Sequence, residues 1–207
     1  GHVDLWWTAD SALSGEIAFY LAAVRLRQRL EARGLPLTLP EIPPMSERVC
    51  ILKNGYNLNL ALHLSPHDDL SERVITNDVQ IDDSGRVFIL TGPNQGGKTT
   101  YTQMVGVAQI LAQAGLWVPA THARISPIDQ LFTHYPIEEK LEKGTGRFGD
   151  EARRLSDIFT QATPHSLILL NESLASTSPG ESLYLARDVV RALRMLGARA
   201  IFATHLH

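Results

Sequence analysis

Residues 86–101 read RVFILTGPNQGGKTTY, and this stretch decides the fold. Its first half is a short apolar run, which predicts a buried β-strand over residues 86–91. Residues 92–99 then fit the pattern G-x-x-x-x-G-K-[ST] at all of its fixed positions. The following residues predict a helix that continues to about residue 113 and ends before Gly115. A strand, a glycine-rich loop and a helix in this order predict a phosphate-binding loop.

The residue types in this loop suit the binding of a triphosphate. Gly92, Gly96 and Gly97 have no Cβ, so the backbone can turn sharply and close around an anion. Successive amide N–H groups and the helix N-terminus then face the phosphates. Lys98 is placed to reach the β- and γ-phosphates, and the Thr99 hydroxyl can bind Mg²⁺. We therefore predict a nucleotide site that uses Mg²⁺.

A second apolar run, SLILLN at residues 166–171, predicts another buried strand. P-loop enzymes usually end such a strand with an acid that orders Mg²⁺, but Asn171 stands here and brings no charge. Its amide oxygen can still accept a hydrogen bond from a metal-bound water. Glu172 follows at the carboxyl edge of the strand, where ligands bind in open α/β sheets. We expect Glu172 to polarise the attacking water.

A third strand is predicted at residues 199–203, and His205 follows it at the same edge. His205 can donate a hydrogen bond to the γ-phosphate or to the attacking water. Helices are predicted at 151–161 and 179–196, and residues 116–137 are expected to be irregular. Strands that alternate with helices predict an α/β fold with a mostly parallel sheet flanked by helices.

The N-terminal part of the chain predicts a separate element. A helix is expected over residues 11–33, with Leu13, Ile17, Tyr20, Leu21 and Val24 on one face. Four prolines between residues 36 and 44 predict an extended linker after it. We therefore divide the chain into residues 1–45 and a domain at residues 46–207.

Composition restricts the classes of function. The chain has 207 residues, 44% of them hydrophobic, and a net charge of −3, which favours one globular domain over a strongly basic DNA-binding module. The single cysteine, Cys50, excludes an internal disulfide and favours a cytoplasmic location. No apolar run approaches the ~20 residues of a membrane helix, so no membrane partner is expected. Both ends look cut, and we expect a fragment of a larger protein.

Four stretches together resemble the ATPase domain of the MutS mismatch-repair family, within the ABC-type P-loop ATPases. They are TGPNQGGKTTY, GLWVPA, SLILLNESLASTSPGESLYLA and FATH. The likeness covers about residues 86–206 and is weaker at residues 73–78, RVITND. It implies a P-loop NTPase fold whose N-terminal helix, within residues 1–45, is the end of a helical lever domain.

The resemblance also implies a role for each matching residue. Glu172 would be the catalytic carboxylate, and His205, with Lys98, would sense the γ-phosphate. Thr99, and Asn171 through water, would hold Mg²⁺. ATP would contact Gly92, Pro93, Asn94, Gln95, Gly96, Gly97, Lys98, Thr99 and Thr100 with its phosphates, and Val74 and Ile75 with its adenine. The dimer boundary would include Ser176, Thr177 and Ser178.

Three departures from the family pattern stand out. Asn171 replaces the usual Asp, which weakens the expected Mg²⁺ site. Gly146 stands where the family has a serine that reaches across the dimer, so Thr145 or Arg147 would have to serve. The sequence after Asn171 differs from the glycine-rich version of the mismatch-recognising members, as in a divergent branch.

The leading hypothesis is a slow ATPase domain of a MutS-like DNA repair protein. ATP would close two copies into a homodimer and move a DNA clamp, with double-stranded DNA bound by domains outside this chain. The alternative is a nucleotide-gated dimerisation module with little or no hydrolysis, because Asn171 replaces the acid. A membrane-transporter ATPase subunit would need an LSGGQ-type signature, which the sequence lacks.

Overall fold

The computed structural model describes residues 3–64, 70–93, 95–136, 147–173 and 179–205. Its helices are α1 (Val3–Glu31), α2 (Leu58–His63), α3 (Leu70–Arg73), α4 (Lys98–Gln113), α5 (Arg147–Gln161) and α6 (Pro179–Leu196). Its strands are β1 (Cys50–Gly55), β2 (Asn77–Ile81), β3 (Val87–Leu90), β4 (His122–Ile125), β5 (Leu131–His134), β6 (Leu167–Asn171) and β7 (Arg199–Ala203). A short 3₁₀ turn covers Met45–Glu47.

Four strands form a parallel sheet in the order β3-β7-β6-β5, which confirms the predicted fold class. Every residue of β6 is buried, because helices cover both faces of the sheet. Leu167 and Leu169 pack in the cluster that contains α4, whereas Ile168 and Leu170 pack in the cluster that contains α5 and α6. The carboxyl ends of β3, β6 and β7 therefore meet at one edge of the sheet.

A second, antiparallel sheet has the order β2-β1-β4, and α4 packs between the two sheets. The approach of α4 to the parallel sheet is close, since a Cβ on Gly106 would lie 2.8 Å from Leu169 Cδ1. The expectation that residues 116–137 are irregular is wrong, because β4 and β5 lie there. Each of these strands has only four residues, too few for a periodic pattern. Pairing of β4 with β1, and of β5 with β6, therefore determines them.

Helix α1 begins before the predicted start, and its predicted apolar face is largely exposed. Leu13, Ile17, Tyr20 and Leu21 are each about half exposed. Among the residues of α1 whose side chains are described, those near the end of the helix pack on the domain, where Leu30 is completely buried and Leu26 is partly so. The spacing of the apolar residues therefore predicted the helix, while the described residues leave Leu13, Ile17, Tyr20 and Leu21 largely uncovered.

The proline-rich segment is extended, as predicted, but it lies along the domain. Thr38 and Val118 exchange two backbone hydrogen bonds, of 3.0 and 2.8 Å. Glu41 donates to the carbonyl of Ala123 and accepts from the amide of Ile125. The segment is thus bonded beside β4, and the division of the chain at residue 45 stays a prediction.

A buried arginine connects the start of β7 to the segments that flank β1 and β4. Arg199 is completely buried, and burial lowers the pKa of its guanidinium. It donates hydrogen bonds to the carbonyl oxygens of Val49, Ser126 and Pro127 at 2.6, 3.1 and 3.0 Å. The dipoles of these carbonyls stabilise the buried charge and link the two sheets.

Replacing Arg199 with Met tests this link. The substitution keeps most of the side-chain volume but removes a charged hydrogen-bond donor from each of the three carbonyls, two of which keep a second donor. We therefore expect the free energy of unfolding to fall by about 1.5–3 kcal/mol. Urea denaturation measures the change. The matched control is Arg191→Met, whose side chain is 71% exposed, and which should change stability by less than about 0.5 kcal/mol. Equal effects of the two variants would contradict the structural role of Arg199.

Candidate functional site

The predicted phosphate loop connects β3 to α4 in a conformation that glycine favours. Gly97, the N-cap of α4, has φ 81°, and Gly92 has φ 144°. Both angles lie where residues with a Cβ are disfavoured. A Cβ on Gly96 would lie 3.0 Å from the carbonyl oxygen of Pro93, so the loop also turns back closely on itself. This conformation matches the anion-binding loop that the sequence predicted.

Lys98, in the first turn of α4, has a buried side chain inside this loop. Its Nζ donates to the carbonyl oxygens of Gly92 and Pro93, both at 2.8 Å, and lies 3.2 Å from Nδ1 of His205. An ammonium has three donors, and the three acceptors account for all of them. The loop therefore holds the cation at the position where phosphates would enter.

His205 connects Lys98 to Glu172. Its Nε2 lies 2.8 Å from Oε1 of Glu172, and both side chains are about one-third exposed. A ring that carries its proton on Nε2 satisfies both contacts, since Nδ1 then accepts from Lys98 and Nε2 donates to Glu172. The three predicted catalytic residues, from three separate elements, are thus adjacent at one sheet edge.

Thr99 and Asn171 also meet at this edge. The Thr99 hydroxyl donates a hydrogen bond to Oδ1 of Asn171 at 3.1 Å. Both groups offer an oxygen atom as a metal ligand, the type that Mg²⁺ prefers. Mg²⁺ usually keeps waters and phosphate oxygens as its other ligands. The pair fits a weakly held Mg²⁺ better than a tightly coordinated one. Within the described ranges, no cluster of three or more His, Cys, Asp or Glu residues could hold a metal.

A cavity of about 370 Å³ opens beside the loop. Ile75 lines it, as expected of an adenine contact, whereas Val74 is buried in the core cluster around α2 and does not line it. Its walls also include Asn57, Leu60, Arg73, Asn77, Thr100, Tyr101 and Met104. A larger groove, of about 670 Å³, lies between α6 and β3 and contains none of the predicted site residues.

Sequence reasoning missed Asn57 and Tyr101 in this cavity. Asn57 is the N-cap of α2 and donates to the carbonyl oxygen of Thr100 at 2.9 Å, so it connects α2 to the first turn of α4. The Tyr101 hydroxyl donates to the carbonyl oxygen of Asp78, and burial raises the pKa of Tyr101 to about 12. An N-cap signature marks Asn57, but only the folded chain reveals its contact with α4.

Several predicted residues lie outside the part of the chain that the structure describes. They are Asn94, Thr145, Gly146, Ser176, Thr177 and Ser178; for Arg147 only the backbone is described.

Among the described helices, none is both long enough and apolar enough to span a bilayer.

Comparison with known proteins gives one consistent result. Residues 88–207 match the family described as MutS domain V. The DNA mismatch repair protein MutS of Chloroflexus aurantiacus is 37% identical over 166 residues, 78% of this chain and 17% of that protein. The Chlorobium limicola protein of the same description is 39% identical over 137 residues, and that of Granulibacter bethesdensis 42% over 132 residues. These matches cover 66% and 63% of this chain and only 16% and 14% of the relatives.

Lys98→Ala tests the geometry of the loop. Because the variant lacks the ammonium that faces the phosphates, we expect ATP affinity to fall by about 10- to 100-fold, the range for a hydrogen bond to a charged group. Isothermal titration calorimetry with ATP and Mg²⁺ measures the affinity. Lys53→Ala, which affects a half-exposed lysine that binds Asp78 on the surface, is the control and should bind ATP normally. Unchanged affinity of Lys98→Ala would exclude the loop as the phosphate site.

Proposed function

The chain belongs to the MutS domain V family, and from this we propose that it is the ATP-binding and ATP-hydrolysing domain of a MutS-like DNA mismatch repair protein. The observation that carries the proposal is the continuous contact from Lys98 through His205 to Glu172 beside the phosphate loop. A cation, a hydrogen-bond donor and a carboxylate at one edge are groups that enzymes use, together with Mg²⁺, to hydrolyse ATP.

ATP binding would use the loop and the cavity together. Residues 92–100, including Asn94 and Gln95, would surround the phosphates with backbone N–H groups and the Lys98 ammonium; Pro93 has no N–H and would contribute only to the turn of the loop. The base would enter the cavity of about 370 Å³, against Ile75. Lys98 would exchange its carbonyl partners for phosphate oxygens, which carry full charge and form stronger hydrogen bonds.

Hydrolysis converts ATP and water to ADP and phosphate, and Glu172 would accept a hydrogen bond from the attacking water. His205 would move its Nε2 hydrogen bond from Glu172 to the γ-phosphate and so detect whether the γ-phosphate is present. Thr99 and Asn171 would hold Mg²⁺, which neutralises charge on the phosphates when bound. With neutral Asn171 in place of an acid, we expect slow turnover.

Coupling to DNA would depend on a second copy of the domain. We propose a homodimer in which ATP closes two ATPase domains on each other, with Ser176, Thr177 and Ser178 near the partner's nucleotide. Closure would move a clamp on double-stranded DNA through α1 and the domains beyond it. Only ligands that bind the closed form more tightly can drive this change, and the γ-phosphate is the natural candidate.

Glu172→Gln separates binding from chemistry. Gln keeps the size and a hydrogen-bond acceptor but polarises water poorly, so we expect kcat to fall by about 10²- to 10⁴-fold while ATP affinity stays within about twofold. Single-turnover hydrolysis and calorimetry measure the two quantities. Glu41→Gln, on the proline-rich segment, is the control and should have wild-type turnover. Normal turnover of Glu172→Gln would refute its catalytic role.

Asn171 favours a second candidate function, a nucleotide-gated dimerisation module. Its amide is already hydrogen-bonded to Thr99 and adds no negative charge for a metal. In such a module, ATP would bind and promote dimers without appreciable hydrolysis. Light scattering with ATP, compared with turnover of the same sample, distinguishes the functions, since only the module dimerises at background turnover.

Asn171→Asp tests the weak Mg²⁺ site directly. A carboxylate binds a metal-bound water more strongly than an amide by about 1 kcal/mol, so the Mg²⁺ concentration for half-maximal turnover should fall about fivefold. A Mg²⁺ titration of ATP hydrolysis measures this shift. Asn59→Asp adds the same charge on an exposed position of α2 and should cause no shift. Identical titrations for Asn171→Asp and the wild-type protein would show that residue 171 does not face the metal.

A further inference from the structure

His134 is a buried histidine that the proposed mechanism does not use. It is the last residue of β5, is completely buried, and pairs in register with Leu170 of β6. Its Nδ1 lies 2.7 Å from the hydroxyl of Ser173, which is also buried. Ser173 directly follows Glu172, so His134 contacts the turn that carries the carboxylate.

The surroundings of His134 disfavour the charged form of its ring. Burial is the main cause and lowers the pKa of the imidazole, and Arg154 of α5 acts in the same direction. Glu151, buried in the same helix, acts in the opposite direction. Within the described part of the chain, Nε2 is buried with no hydrogen-bond partner. The ring is thus held through its Nδ1, by the contact with Ser173.

The turn after β6 needs support because Glu172 has φ 51°, a left-handed conformation that residues with a Cβ rarely adopt. Such a conformation costs about 1–3 kcal/mol and persists only where the surroundings enforce it. On one side, the amide of Glu172 donates to the carbonyl of Ala203 in β7 at 2.8 Å. On the other side, Ser173 contacts His134 in β5. The two strands beside β6 thus hold the turn from both sides.

We propose that His134 is a positioning residue that acts through Ser173 to hold the Glu172 carboxylate in place for attack on the γ-phosphate. The inference rests on the proposed ATPase function and assigns a residue to it that neither contacts the phosphate loop nor faces the cavity. Loss of the contact lets the turn relax, which displaces the carboxylate from the water. A displacement of about 1 Å is enough to lower a rate about 100-fold.

The test measures kcat, KM and ADP affinity of Ser173→Ala and His134→Ala in the native protein. Ser173→Ala removes only the hydroxyl and keeps the packing, so it stays informative if His134→Ala fails to fold. We expect kcat to fall about 10- to 100-fold with KM and ADP affinity within about twofold. His134→Asn, which can keep a polar group near the position of Nδ1, should restore most of kcat. His122→Ala, at an exposed position of β4, is the control and should match the wild type.

Combination with Glu172→Gln gives the deciding measurement. If the contact acts through the carboxylate, Ser173→Ala should lower the residual rate of Glu172→Gln by no more than about twofold, because both variants remove the same function. An equal fold loss in both backgrounds, or an unchanged kcat for Ser173→Ala alone, overturns the inference and leaves the proposed function standing. Wild-type turnover of Glu172→Gln would instead refute the catalytic role of Glu172, and the inference with it, whereas absence of ATP turnover in the wild-type protein would overturn the ATPase assignment.

Discussion

The site depends on the hydrogen bonds made by one buried ammonium group, that of Lys98. Lys98 has its three donors directed at two loop carbonyls and the ring of His205, so a cation is held inside the loop. This arrangement requires that the loop turn tightly at Gly97 and that β7 lie beside β3. The loop, the histidine and, through it, the carboxylate therefore form one unit.

Two layers of packing bring that unit together. The completely buried strand β6 presents alternate side chains to α4 and to the α5–α6 layer. This packing fixes the position of Asn171 and Glu172 at the carboxyl end of the strand. On the other side of α4, the antiparallel sheet completes the core, and Arg199 joins this half to the start of β7. The edge of the parallel sheet that carries the candidate site is thus supported by apolar contacts on both faces of the sheet.

Sequence patterns predicted most of the parallel sheet and the residues at its edge. The strands β3, β6 and β7 each contain an apolar run, and β6 and β7 are buried throughout because helices cover both faces of the sheet there, so this signal is strong. The strands β4 and β5 were missed because pairing with distant partners determines them. Asn57 and His134 were missed for a related reason, since their roles depend on contacts with Thr100 and Ser173 that no local spacing shows.

The parallel pairing of β3 with β7 has a consequence for the order in which the chain can fold. The two strands lie near opposite ends of the family-matched region, with Val87 opposite Ala200. During synthesis, β3 and the phosphate loop leave the ribosome long before β7. When β3 and β7 pair, they bring together the two ends of the long stretch of sequence between them. Lys98 acquires His205 only after that late step, so nascent chains would carry an incomplete nucleotide site.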